Sequence, residues 1–150
     1  MKGVNTNNDI NDEAELWGAY NKLLVSKDIG RLQKLNARYD IFKTTLNIPG
    51  SIVECGVFKG AGLMHWLKLL KLYAPFEKKN VFGFDTFATF SAELKDFELQ
   101  TAKDFVDEAE FAGINRQELE KLIISYDFDN FTLIEGEVSK TIPIFVSEMP

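Results

Sequence analysis

The sequence predicts an α/β domain built on parallel strands, and three observations carry that expectation. Short apolar segments alternate with longer amphipathic ones; the apolar segments lack the period-two pattern of half-exposed strands; and glycines cluster where the first of them runs into a helix. At 150 residues, 45% hydrophobic and 27% charged, the chain has the composition of one globular domain or a piece of one.

Residues 1–11 are polar, carry no apolar run of the signal-peptide kind and are expected to be disordered. From Asp12 to about Ser26, Leu16, Trp17, Tyr20, Leu23 and Leu24 recur at helical spacing, and Asp12, Glu13 and Glu15 suit the N-terminal end of the helix dipole. A second helix is expected from Asp28 to about Leu46. There Ile29, Leu32, Leu35, Tyr39, Phe42 and Leu46 form one stripe, Arg31, Lys34, Arg38 and Lys43 form a solvated basic side, and Pro49 with Gly50 ends the run. Residues 12–48 therefore read as a helical extension to a domain spanning 49–150.

In that domain, Ser51 to Phe58 reads as a strand leading into a glycine turn, and Leu63 to Tyr73 as the helix after it. Val81 to Phe84, ending at Asp85, is a second buried strand that completes a βαβ unit. Residues 86–100 hold Phe87, Phe90 and Phe97 in a long connection that serves either as a binding lid or as a cover for the core. A short helix follows from Thr101 to Phe111 and is closed by Gly113. Asn115 and Glu118 then have the form of a capping box opening a helix to about Tyr126. Phe131 to Glu135 is a third strand, and Ser139 to Pro150 begins another helix. In a doubly wound sheet the first strand is central, so its far side calls for a fourth strand that these residues do not supply. The fold is expected to be truncated after its third strand, and the uncovered edge is expected to drive self-association.

Seventeen Lys and Arg against twenty-three Asp and Glu give a formal charge of −6, which provides no cationic field for nucleic acid or for an anionic membrane surface. No apolar run approaches the roughly 20 residues that cross a bilayer. Cys55 stands alone, which excludes an intramolecular disulfide and a Cys-rich zinc site and fits a reducing, cytoplasmic location. Both Cys55 and His65 read as packing residues rather than nucleophiles.

The stretch Glu54-Cys55-Gly56-Val57-Phe58-Lys59-Gly60-Ala61-Gly62 carries the chemistry. Glycines at a strand-to-helix junction let the backbone turn sharply and approach a ligand, while the free N–H groups of the following helix attract electron-rich atoms. Asp85, 29 positions past Gly56, ends the second strand where a carboxylate can accept both hydroxyls of a ribose. Glu54 lies inside an apolar strand, where a carboxylate is costly unless it meets a cation or several donors; local backbone amides or a water are the structural alternative. S-adenosylmethionine joins an adenosine to an amino acid through a sulfonium and suits this charge pattern, whereas a dinucleotide pyrophosphate would be repelled by Glu54. A NAD(P)-dependent short-chain oxidoreductase also fits the glycine spacing, but its Tyr-x-x-x-Lys pair occurs here only as Tyr39 to Lys43, upstream of the loop.

The runs IVECGVFKGAGLMHW and VFGFDTFATF, preceded by LLVSKDIGRLQKLNARYDIFKTTLNIPG, resemble the macrocin O-methyltransferase family. Its members are class I S-adenosylmethionine-dependent enzymes that methylate sugar hydroxyls on a Rossmann-like fold. The resemblance extends from about Leu16 to the C-terminus. It implies that Glu54, Gly56, Val57, Phe58 and Gly60 belong to the donor-binding loop, and that Asp85 holds the ribose. It further implies that Thr86 and Phe87 lie beside the nucleoside and that Gly136, Glu137 and Val138 line the adenine. Family members continue well past the length of this chain, and their catalytic base and acidic Mg2+ ligands lie in that further part. The resemblance therefore implies no catalytic residue among these positions, and Mg2+ only for a full-length relative. A module that binds S-adenosylmethionine without turnover is the alternative from the binding class. The expected partner is a sugar or sugar nucleotide.

Overall fold

The computed structural model describes residues 13–88, 100, 101, 104 and 113–148. It divides into two units after Thr44. In the first, α1 spans Glu13–Val25 and α2 spans Gly30–Thr45, within two residues of the expected bounds. At the start of α2 the Asp28 carboxylate accepts the Gly30 N–H at 2.8 Å, and this hydrogen bond, helped by Arg31, draws its pKa below the ordinary value. Phe42 is the buried residue of α2, whereas α1 buries none of its apolar stripe.

The second unit runs β1 (Ile52–Cys55), α3 (Ala61–Tyr73), β2 (Val81–Asp85), α4 (Arg116–Ser125), β3 (Phe131–Glu135) and α5 (Val138–Glu148). The three strands are parallel in the order β1-β2-β3, and Glu54, Gly83 and Leu133 lie in register across them. The expected helix from Thr101 to Phe111 and most of the 86–100 connection lie outside the described residues.

Side-chain direction shows which helix covers which face. A Cβ on Gly83 would come within 2.6 Å of Leu63 and 3.0 Å of Val57, so the missing side chain is what lets α3 press against β2. Leu63, Leu67, Val81, Leu119 and Ile123 are fully buried, each contributing roughly 1.5–3 kcal/mol relative to exposure. On the opposite face Phe82 and Phe84 meet Phe145 of α5 edge-on, with centroids 4.7 and 5.2 Å apart. Because both faces of β2 are covered, its sequence shows no alternation. The aromatic anchor also keeps α5 going past Pro143, which lacks the N–H for one helical bond, as far as Glu148.

Two expectations need correction at β1. The strand ends at Cys55 rather than Phe58, because Gly56 adopts φ 85° and turns the chain out of the ladder after its N–H bonds the Phe84 carbonyl at 2.8 Å. Cys55, read as a packing residue, is exposed, and Val53 on the same face is 50% exposed. The physical reason is position: β1 pairs only with β2 among the described strands, and α5 packs on β2. The rings of His65 and its chain neighbour Trp66 have centroids 6.5 Å apart. Lys79, buried before β2, donates from Nζ to the Ile48 carbonyl and at 3.4 Å to the Gly50 carbonyl, tying down the turn that feeds β1.

Asn115 caps α4 as its spacing predicts, its side chain accepting the Glu118 N–H at 2.9 Å. Asn115→Ala is expected to lower stability by about 1 kcal/mol, read as a lower urea midpoint with an unchanged slope.

Candidate functional site

The carboxyl ends of the three strands meet at the loop between β1 and α3. Gly56 and Gly60 take left-handed backbone at φ 85° and 81°, and Phe58 between them does the same at φ 51°. The two glycines serve different ends. Among the described residues a Cβ on Gly56 would meet nothing within 4 Å, so this glycine is required by the turn rather than by close packing. A Cβ on Gly60 would lie 2.6 Å from Leu119, so this one seats the loop against α4. The Gly60 N–H closes the turn on the Val57 carbonyl at 2.9 Å, and Gly60, at the start of α3, has no side chain to cap the helix.

Asp85 joins this loop to the end of β2. Its Oδ2 accepts the Val57 N–H at 2.6 Å and the Phe58 N–H at 2.9 Å. Its Oδ1 accepts the Phe87 N–H at 3.0 Å and the Thr86 hydroxyl at 3.4 Å. One strand over, Glu54 is half-buried and its Oε2 is shielded from solvent. On the other side the Gly136 N–H bonds the Asp85 carbonyl at 2.9 Å, holding the end of β3 beside that of β2. The Glu137 carbonyl accepts the Lys140 and Thr141 N–H groups, its carboxylate pairs with Lys140 at 3.0 Å, and Val138 opens α5. Glu54, the 56–60 loop, Asp85 to Phe87 and Gly136 to Val138 thus share one end of the sheet, the position where open α/β sheets bind ligands.

Three contributors had no readable signal in the sequence. The Ile114 N–H bonds the Phe58 carbonyl at 3.0 Å, and a Cβ on Gly113 would stand 3.0 Å from the same oxygen. Gly113, expected only to stop a helix, therefore lets the 113–115 segment lie along the loop. Arg116 approaches Glu135 at 4.0 Å, an exposed pair worth little by itself. Lys59 places its ammonium 5.3 Å from the Phe58 ring. Among the described residues no group of three or more His, Cys, Asp or Glu is arranged to hold a metal ion. The described residues therefore offer no cluster of acidic oxygens suited to Mg2+.

The sequence profile of the family described as Macrocin-O-methyltransferase (TylF) matches residues 7–149. The chain belongs to the macrocin O-methyltransferase family. This macrocin O-methyltransferase family chain is also similar in fold to solved methyltransferases. One is CalS11, a calicheamicin methyltransferase, with TM-score 0.59 and 20% identity over 93% of this chain and 57% of that one. Its apo form, described as a TDP-rhamnose 3'-O-methyltransferase in calicheamicin biosynthesis, gives 0.56 and 23% over 95% and 56%. The O-methyltransferase NovP gives 0.56 and 18% over 75% and 47%. These likenesses show the Rossmann-like class I methyltransferase fold, and the chain spans about half the length of those proteins, from 47% to 57%. No curated protein matches the sequence. Among the described residues no helix is long and apolar enough to cross a membrane.

Proposed function

We propose that residues 49–150 are the donor-binding half of an S-adenosylmethionine-dependent O-methyltransferase that acts on a sugar hydroxyl, with residues 12–48 as a helical extension. The observation that carries this reading is the direct contact between its two acidic-and-glycine motifs: the Asp85 carboxylate hydrogen-bonds the backbone of the 56–58 loop. The donor supplies an electrophilic methyl group on a sulfonium sulfur. In this reading the shielded Glu54 carboxylate attracts the donor's ammonium group, and the space that the described residues leave beside Gly56 admits its backbone-hugging portion. Asp85 faces the ribose, Thr86 and Phe87 flank the nucleoside, and Gly136 to Val138 border the adenine. A deoxyhexose or sugar nucleotide acceptor is supported by family membership and by the similarity to CalS11, a TDP-rhamnose 3'-O-methyltransferase. The lone Cys55 supports a cytoplasmic setting.

Calorimetric titration with S-adenosylhomocysteine tests the reading, and saturable one-to-one binding is the expected result. Donor binding without methyl transfer to TDP-deoxysugars is the outcome expected of a donor-binding half, and a non-catalytic module shares it; tritiated methyl transfer by the 150-residue chain would place a catalytic base within these positions and exclude the module. Enhanced nicotinamide fluorescence with no response to S-adenosylhomocysteine would replace the reading with an oxidoreductase.

A further inference from the structure

Three residues other than glycine adopt left-handed backbone among the described positions: Phe58 at φ 51°, Phe87 at φ 50° and Asp127 at φ 58°. Asp127 lies in the turn after α4, and aspartate visits this region readily because its short polar side chain bonds locally. A phenylalanine has no such excuse, and a bulky residue there is a true outlier that surrounding structure must enforce. Both phenylalanines meet the same enforcing group. The Phe58 N–H bonds Asp85 Oδ2 at 2.9 Å, and the Phe87 N–H bonds Asp85 Oδ1 at 3.0 Å. One carboxylate, one oxygen for each, holds two left-handed residues, one in the 56–60 loop and one just past the end of β2.

We infer that Asp85 is a positioning residue whose carboxylate clamps Phe58 and Phe87 in left-handed backbone and so sets the two aromatic walls of the donor site. The inference rests on the donor-binding reading for its purpose, although the clamp itself is a property of the free protein. Glycine would adopt both conformations without strain, so the choice of phenylalanine points to a use for the rings. Both residues are half-buried, and the Phe58 ring sits under Lys59 with the backbone of Gly113 closing behind it. The clamp also limits what Asp85 can offer a ribose. A carboxylate has about four acceptor sites; the amides of Val57, Phe58 and Phe87 occupy three, and Thr86 at 3.4 Å addresses the fourth weakly. In this conformation Asp85 can take one ribose hydroxyl on Oδ1, not the two that the sequence suggests.

Asp85→Asn separates the roles, because an amide presents an acceptor on one side and a donor on the other. Whichever way it turns, either the Phe87 N–H or the Val57 and Phe58 N–H groups face another donor. Proton exchange of these three amides in the ligand-free 150-residue protein is the first measurement. We expect all three to be protected in the wild type and one set to exchange about tenfold or more faster in Asp85→Asn. Phe58→Gly and Phe87→Gly, each with Asp85 intact, keep the left-handed backbone but remove a ring, and each should weaken S-adenosylhomocysteine binding by about threefold or more. Should Asp85→Asn not fold, scalar coupling across the hydrogen bonds, from the Val57 and Phe58 amide nitrogens to the Asp85 carboxyl carbon, reads the clamp in the wild type. Unchanged exchange, absent coupling, or wild-type affinity in both glycine variants would each overturn the inference. Protected amides in a wild type that does not bind S-adenosylhomocysteine would leave the clamp standing and sink the donor-binding reading instead.

Discussion

Gly56→Val is expected to give a folded protein that no longer binds S-adenosylhomocysteine, while Gly60→Val is expected to destabilise the domain itself. Both glycines hold φ above 80°, where an ordinary residue costs roughly 1–2 kcal/mol and a β-branched one is more restricted still. The difference lies in what a side chain would meet. Among the described residues nothing stands within 4 Å of a Cβ on Gly56, so valine there strains the turn and fills the space the proposed ligand requires without touching the described core. At Gly60 the first added carbon already lies 2.6 Å from Leu119, a fully buried residue of α4, so overpacking adds about 1–3 kcal/mol to the strain. The expected total for Gly60→Val is therefore roughly 2–5 kcal/mol, a large share of a typical domain's stability. Urea denaturation beside calorimetric titration separates the two variants. Normal binding by Gly56→Val would reduce the glycine loop to a structural turn, and a wild-type urea midpoint for Gly60→Val would mean that the loop is not seated on Leu119.

Features that depend on neighbours in sequence were readable in advance, and features that depend on distant contacts were not. The Asn115 and Glu118 pair announced the start of α4 because a cap is made by residues three apart. Val81 to Phe84 announced a strand covered on both faces because burial leaves an unbroken apolar run. The end of β1 was missed by three residues, since the apolar pattern continues through Val57 and Phe58 and only the backbone angle of Gly56 breaks it. The acidic and glycine residues of the site were legible as a motif. Their direct contact was not, because hydrogen bonds from Val57 and Phe58 to Asp85 span 28 and 27 positions and leave no local pattern. The seating of Gly113 on the Phe58 carbonyl joins positions still further apart, and a glycine read by itself cannot say whether it ends a helix or admits another backbone. The left-handed phenylalanines are the clearest loss, because composition favours glycine at such angles and nothing in the letters of Phe58 or Phe87 betrays the carboxylate that holds them.

The 150-residue chain is expected to self-associate through β1, with an apparent mass that rises above the 17.1 kDa monomer as concentration increases. Ile52 and Gly56 donate their N–H groups toward β2, to the Asn80 and Phe84 carbonyls, so the alternate residues Val53 and Cys55 aim theirs at the opposite edge. No described strand pairs with that edge, and Val53 is half exposed beside it. Ile144 and Val146 of α5 add exposed apolar surface in the same unit. A strand with free backbone groups and an apolar face is a template for pairing unless charge, proline or a bulge blunts it, and Ile52 to Cys55 carries none of these on its exposed positions. Val53→Lys supplies the missing charge where the strand is already open to water, so it should return the protein to monomer with little effect on folding. Light scattering across a concentration series, run on both proteins, reads the difference. A wild type that stays at 17.1 kDa throughout would show that the open side of β1 is not an association surface, and the same self-association in Val53→Lys would move the interface to another exposed apolar face.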